Sequence, residues 1–522
     1  NGVGRVEKEA TAMRGMRQRK HQFSAQWSKR GNGHVTNDIS CIQMVQKLIL
    51  TTPEFHSTNV VKMSDETSRD KQQNIISHSS GSSSSNSDST YKAIVFLMLK
   101  GGCDSYNMLI PHSQCTINSH RKDMYQEYLD VRQNVALSSI TTLLIESTSQ
   151  VCKKFFLHPE LPYLKKLYDN GDALFLANTG VLTQPVTKHD WERKTNNMLF
   201  AHDSQQKDVQ QLNSTNRPGH TGVLGRMTDV LTRNGYTAGS TSISNEAHVL
   251  VGTNGLSPAI NFLDEDGADP FNQNPSSDDM MSTIKDLNNA TVPTSGLFAE
   301  TWSEKLYASI KQNKALNTAL QSSSITETFP STKLGKQLEM VSRMIEVHEE
   351  RNKNRDVFFV SLGGFDTHSD IEDTLIEKFT EINDAIQSFV TEMKHQQKWD
   401  NVVMIEASDF GRTLTPNSKD GTDHGWGGNY FLLGGSVDGS RILGKYPDDL
   451  TSSGSQSIKR GRLIPSTSWD EVWNGVGQWF GISDAELDEV LPNRNNFENL
   501  LGRDDLFVQE AAEEKRRKYL RE

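Results

Sequence analysis

Three short apolar runs, each followed by an aspartate, constrain this chain more than anything else in it. YKAIVFLMLKGGCDSYN spans 91–107, DVFFVSLGGFDTHSD spans 356–370 and NVVMIEASDFGRTLTPNSKDGTDHGWGG spans 401–428. Each run has the length and branched apolar composition of a buried strand. Asp104, Asp366 and Asp409 fall where strand gives way to loop, the first two shortly after a Gly-Gly pair. Glycine lets the backbone turn where other residues cannot and approach a ligand closely. In open α/β sheets, ligands bind beyond the carboxyl ends of the strands. The repetition predicts a metal or phosphate site at one edge of a sheet.

The intervening segments predict how that sheet is covered. Ile371–Lys394 is an amphipathic helix with a stripe of Ile371, Leu375, Phe379, Ile382, Ile386, Phe389 and Met393. Strand, helix, strand in that order predicts a right-handed parallel crossover. The strand of the first run is expected at Lys92–Leu99, and further strands at Asp172–Asn178 and Tyr430–Leu433. Helices are expected at Tyr125–Ser147, His158–Asn170, His220–Arg233, Leu297–Ile310, Thr332–Val347 and Ser466–Phe480, the last with tryptophans read as core. GGSVDGSRILGKYP reads as loop and hairpin. The fold class expected is α/β, a central mostly parallel sheet with helices on both faces. It occupies 91–502, with an insertion near 235–300 and a charged helical tail over 503–522.

Residues 1 to about 90 read as disordered, because Ser79–Ser89 is almost wholly Ser, Gly, Asn and Asp. Hydrophobic content of 34 % across 522 residues supports a disordered portion. The net charge of −11 and the lack of a basic stripe argue against a nucleic-acid partner. No apolar run is long enough to span a membrane. Four cysteines without CxxC spacing argue against a zinc ribbon and a disulfide framework. One bridge, Cys103–Cys115 or Cys115–Cys152, stays open for an exported protein.

Several side chains suggest chemistry. Asp366-Thr367-His368 can aim a carboxylate and an imidazole at one cation, and both are ordinary Zn²⁺ or Mn²⁺ ligands. Asp104 reads either as a ligand or as a turn or cap residue. His202 stands at a loop-to-helix junction, where free N–H groups suit an anionic ligand. Arg412 could hold an anionic oxygen with two donors, or brace Asp409.

GGCDSYN, LFAHDSQQ, GGFDTH, SDFGRT, GTDHGWGG and LIPSTSWDEVWNGVGQWFG, in that order, resemble the domain-of-unknown-function family fifteen-oh-one. The family is similar to the alkaline phosphatase and sulfatase superfamily, which implies metal ligands at strand ends and, for many bacterial members, export. Carried over by motif, the resemblance implies Asp104, Asp366, His368, Asp409 and His424 as metal ligands. Phe410 stands where the superfamily has a ligand histidine, and Ala201 where the family often has serine. Ser204 is then the fallback nucleophile, and His202 or Asp423 the base for a metal-activated water. The expected function is a metal-dependent hydrolase of a small anionic phosphate or sulfate ester. The alternative is a non-catalytic binding protein that keeps the fold. Oligomeric state is left open.

Overall fold

The structure, a computed structural model, describes residues 90–137, 143–195, 198–212, 221–244, 247–253, 260–263 and 297–509. The expected N-terminal tail, much of the 235–300 insertion and the C-terminal tail beyond 509 lie outside these residues.

The strands are β1 (Lys92–Lys100), β2 (Leu109–Ile117), β3 (His120–Lys122), β4 (Leu143–Glu146), β5 (Cys152–Leu157), β6 (Ala173–Gly180), β7 (Ala238–Ser242) and β8 (Ile260–Phe262). They continue with β9 (Arg355–Gly363), β10 (Val402–Ser408), β11 (Gly428–Gly434), β12 (Arg441–Gly444), β13 (Ser457–Ile458), β14 (Arg462–Leu463) and β15 (Thr467–Ser468). The central sheet runs β12-β6-β11-β10-β1-β9-β7-β8, with β15 also on β6. The three aspartate-bearing strands are therefore its middle. β1 pairs in parallel with β10 on one side and β9 on the other, so the three aspartates leave the sheet at the same end.

β1 is buried on both faces, as a parallel central strand must be. Ala93, Val95, Leu97 and Leu99 enter one core, with α1 (Met124–Arg132), α2 (Pro162–Asp169), α5 (Lys333–Glu346) and α6 (Ile371–His395). Ile94, Phe96 and Met98 enter the other, with α3 (His202–Gln211), α4 (Val223–Arg233) and α7 (Trp469–Phe480). The whole predicted stripe of α6, from Ile371 to Met393, is buried. α6 carries the chain from β9 to β10, across β1. The tryptophans of α7, Trp469, Trp473 and Trp479, are core. No helix among the described residues is long and apolar enough to cross a membrane.

The helix expected over Tyr125–Ser147 stops at Arg132, and Leu143–Glu146 is strand β4. Serine, threonine and β-branched residues after 136 favour extended chain over helix. His158–Asn170 shortens to Pro162–Asp169, because Pro162 is tolerated only in the first turn. Arg441–Gly444 forms no hairpin; it is β12, parallel to β6. β11 is antiparallel to both neighbours, which makes the sheet mixed. A second, antiparallel sheet, β3-β2-β5-β4, was not foreseen. It places Cys115 opposite Cys152, and these two are joined, while Cys103 is free and buried.

Candidate metal centre

The site forms where β1, β9 and β10 end. Gly101 and Gly102 have φ of +118° and +79°, open to glycine at little cost. A Cβ on Gly101 would lie 2.5 Å from the Asp366 backbone nitrogen, and one on Gly102 2.5 Å from the Phe410 ring. These glycines let the ends of β1, β9 and β10 close on one another. The Gly101 N–H donates to Asp409 Oδ2 at 3.2 Å, and its carbonyl accepts from Arg412. Past Asp409, the chain is zipped to the histidine loop: Gly411 N–H bonds Trp426 O, Gly425 N–H bonds Gly411 O, and Thr413 N–H bonds Asp423 O. His424 is thus delivered beside Asp366.

His202 arrives from elsewhere. It is the first residue of α3, preceded by Ala201 at the cap and by Phe200 at φ +71°. A non-glycine residue in this region marks local strain, which recurs at functional sites. The Phe200 carbonyl accepts from His424 Nδ1 at 2.8 Å. His202 Nδ1 lies 2.7 Å from Asp409 Oδ2, which also accepts from Gln206 at 3.0 Å. Gln206 is four residues after His202, on the same helical face.

These outer partners fix the tautomers. Nδ1 of His424 must carry its hydrogen toward a carbonyl, and Nδ1 of His202 toward a carboxylate. Both Nε2 atoms are then bare acceptors, and they face each other at 3.1 Å. Asp366 Oδ1 stands 3.4 Å from His202 Nε2 and 3.3 Å from His424 Nε2. Three acceptor atoms aimed at one point repel unless a cation or proton lies among them. Zn–N bonds of about 2.0–2.1 Å place tetrahedral ligand atoms about 3.3–3.4 Å apart. The three observed edges fall within a few tenths of an ångström of that. His202, Asp366 and His424 are a group able to hold a divalent ion. The geometry fits such an ion without selecting between zinc and manganese.

Protonation follows the surroundings. The hydrogen bond to Asp409 pushes His202 up from its ordinary value, while burial pulls His424 down. Burial favours the neutral acid of Asp366, but the Arg412 guanidinium, 2.8 Å away, overrides it and holds the carboxyl low. Burial likewise opposes ionisation of Asp423, and bonds from Asn417 and His368 with the Arg460 charge override it.

The remaining sequence candidates are placed as follows. His368 Nε2 lies 3.0 Å from His424 Nε2 and 3.1 Å from Asp366 Oδ1; its Nδ1 lies 3.3 Å from Asp423 Oδ1. Asp409 touches the cluster through His202. Asp104 is fully buried one layer away, paired with Arg132 at 2.7 Å and accepting from Thr422 at 3.2 Å. Arg412 is buried and braces Asp366, Gly101 and Thr422. Ser204 sits on α3 two residues past His202, about 200° around the helix. Phe410 is buried, with its ring centroid 5.0 Å from that of His202 and 4.9 Å from that of His424. Gln206, the Phe200 carbonyl, Arg460 and Arg462 were not read from the sequence. Only Gln206 left a signal, its i,i+4 spacing from His202.

Fold and site together define an α/β protein with a histidine–carboxylate cluster at the carboxyl ends of its central parallel strands. The chain belongs to the family described as Protein of unknown function (DUF1501), which matches residues 91–457. No curated protein matches it by sequence. Among solved structures it is similar to Ps i-CgsB, at 12 % identity over 79 % of this chain and 78 % of that one, with a TM-score of 0.31. It is similar to the lipoteichoic acid synthase LtaP from Listeria monocytogenes, at 12 % identity over 81 % of each chain, TM-score 0.30. It is also similar to alkaline phosphatase from the Antarctic bacterium TAB5, at 11 % identity over 78 % of this chain and 100 % of that one, TM-score 0.27. Likenesses of this degree bear no weight for function.

Proposed function

We propose that this protein is a hydrolase of phosphate or sulfate esters that uses one divalent ion, held by His202, Asp366 and His424. The supporting observation is the convergence of two bare Nε2 atoms and Asp366 Oδ1 at tetrahedral spacing. The ester class rests on the motif resemblance. Three protein ligands with an open position suit catalysis, whereas structural zinc sites are closed by four. A bound ion would polarise an ester oxygen and make water more acidic.

The chain's own residues supply the rest. Asp409 keeps the His202 hydrogen on Nδ1, and the Phe200 carbonyl does the same for His424; such outer partners orient ligands and raise their basicity. Arg412 keeps Asp366 ionised. His368 stands at the open side, with its Nδ1 on Asp423 and its Nε2 toward the cluster. It is the base in this reading, taking a proton from water on Nε2 while Asp423 stabilises the imidazolium. Phe410 stands where the motif resemblance places a ligand histidine for a second ion, and its ring cannot bind metal, so this reading has one ion. Ser204 points away from His202 around α3, and Ala201 has no hydroxyl, so water is the nucleophile.

Aryl phosphate and aryl sulfate turnover, measured with and without added Zn²⁺ or Mn²⁺, tests this. We expect slow, metal-dependent hydrolysis, lost in His368→Ala while that variant keeps its metal. Ala201 and Phe410 favour a second reading, a binding protein that retains the metal without turnover. Bound metal with no ester cleaved would support that reading.

A further inference from the structure

A basic hairpin lies against the loop that carries Asp423 and His424. β13 and β14 pair through Ile458 and Arg462, and the turn between them is Lys459-Arg460-Gly461. Arg460 and Gly461 both have positive φ, at 66° and 68°, a strained setting for arginine. The turn is pinned by the Leu414 N–H, which donates to the Gly461 carbonyl at 2.9 Å. In a chain of net charge −11, KRGR puts three cations within four residues.

Arg462 is half-buried and fixed in place. Its Nε donates to the His424 carbonyl at 2.6 Å, and its guanidinium lies 4.2 Å from the Phe200 ring centroid. It therefore touches His424 itself and Phe200, whose carbonyl accepts from His424 Nδ1. Its two terminal nitrogens make no hydrogen bond among the described residues. Arg460, also cationic, reaches Asp423 Oδ2 at 3.1 Å, and Asp423 in turn holds His368. Two guanidinium groups are thus held near one another, one partly withdrawn from water. Asp423 partners Arg460, while the terminal nitrogens of Arg462 stay open to an added anion.

We propose that Arg462, with Arg460 beside it, binds the non-bridging oxygens of a tetrahedral oxyanion, phosphate or sulfate, presented to the metal cluster. A guanidinium offers two parallel donors that match two oxygens of such a group, and Arg462 has both free. Its Nε anchor sets the plane of the fork relative to His424. This rests on the metal-centre reading above and adds the residues that recognise the substrate's anionic group.

The test uses inorganic phosphate and, in a separate arm, inorganic sulfate, titrated calorimetrically into the full chain. Each is measured on metal-loaded and on chelator-treated protein, with metal content determined in parallel. We expect phosphate or sulfate binding in wild type, weakened about tenfold or more in Arg462→Met with metal content unchanged. Arg462→Lys, which keeps charge but not the fork, should fall between. Arg460→Met should weaken anion binding less. The stronger of the two anions names the ester class. Failure of wild type to bind either anion at millimolar concentration overturns the proposal. So does unchanged affinity in Arg462→Met. Loss of metal with loss of anion in Arg462→Met also overturns it, and would assign the side chain to holding His424. Wild type that binds anion but no metal would sink the metal reading and leave the oxyanion site standing.

Discussion

Asp409→Asn separates two roles that look alike in the sequence. As a ligand, Asp409 would contact the ion; the structure puts it behind His202. Its Oδ2 accepts from His202 Nδ1 at 2.7 Å, Gln206 at 3.0 Å and Gly101 N–H at 3.2 Å, and its side chain is wholly buried. The asparagine oxygen can accept the same three bonds, so the geometry survives and the charge is lost. Loss of such an outer partner costs about 10- to 100-fold in metal affinity, roughly 1.4–2.7 kcal/mol. Burial places the effect in that range rather than below it, since solvent does not screen the lost charge. A second consequence follows from the proton. The bond to Asp409 raises His202 above its ordinary value, so protons compete with metal up to a higher pH. Removing the charge lowers that competition, and the pH midpoint of metal uptake should move down even as affinity at high pH falls. Competition against a chromophoric chelator across pH 5.5–8.5 reads both quantities. Unchanged affinity with an unchanged midpoint would refute the role of Asp409 behind His202. Abolished binding, equal to His202→Ala, would make Asp409 a ligand itself.

Other consequences concern the scaffold. Cys115→Ser/Cys152→Ser opens a loop of 37 residues and should lower unfolding free energy by about 4 kcal/mol, measured by denaturant melts. Glu471 is buried and pushed up to about 7 by desolvation. A raised carboxyl contributes stability fully below about pH 4.5, and that contribution is lost as pH rises through about 7. Glu471→Gln keeps an acceptor for the Ser468 N–H and should stabilise the protein at pH 8, by about 3 kcal/mol at most, with no gain at pH 4. A gain independent of pH would contradict this. Gly101→Ala drives a Cβ into the Asp366 backbone and should cost about 2 kcal/mol or more, with weakened metal uptake in the same preparation.

What could be read in advance was whatever local chemistry decides. Apolar runs ending in Asp specify buried strands and their exits, so β1, β9 and β10 and the strand-end position of Asp366 were legible, whereas their order in the sheet was not, and His424 entered only through the motif resemblance. The α6 stripe followed from its period. The roles within the cluster depend on tertiary arrival. A strand-end carboxylate is the same signal whether it meets an ion, as proposed for Asp366, a histidine, as at Asp409, or an arginine, as at Asp104. His202 reaches the site from α3, about two hundred residues before its neighbour Asp409, and no spacing encodes that. Arg460 lies in a three-residue turn and Arg462 on a two-residue strand, both too short for any periodicity. The helix misread past Arg132 ends at Gln133, whose φ of +50° leaves the helical region, a conformation no periodicity announces.

The central claim is one divalent ion held by His202, Asp366 and His424. Elemental analysis of the purified full chain, before and after dialysis against Zn²⁺ or Mn²⁺, beside Asp366→Ala treated identically, tests it most directly. We expect one equivalent of divalent metal per wild-type chain and almost none in the variant, with both proteins folded by circular dichroism. No metal in wild type, or a full equivalent retained by Asp366→Ala, would contradict it.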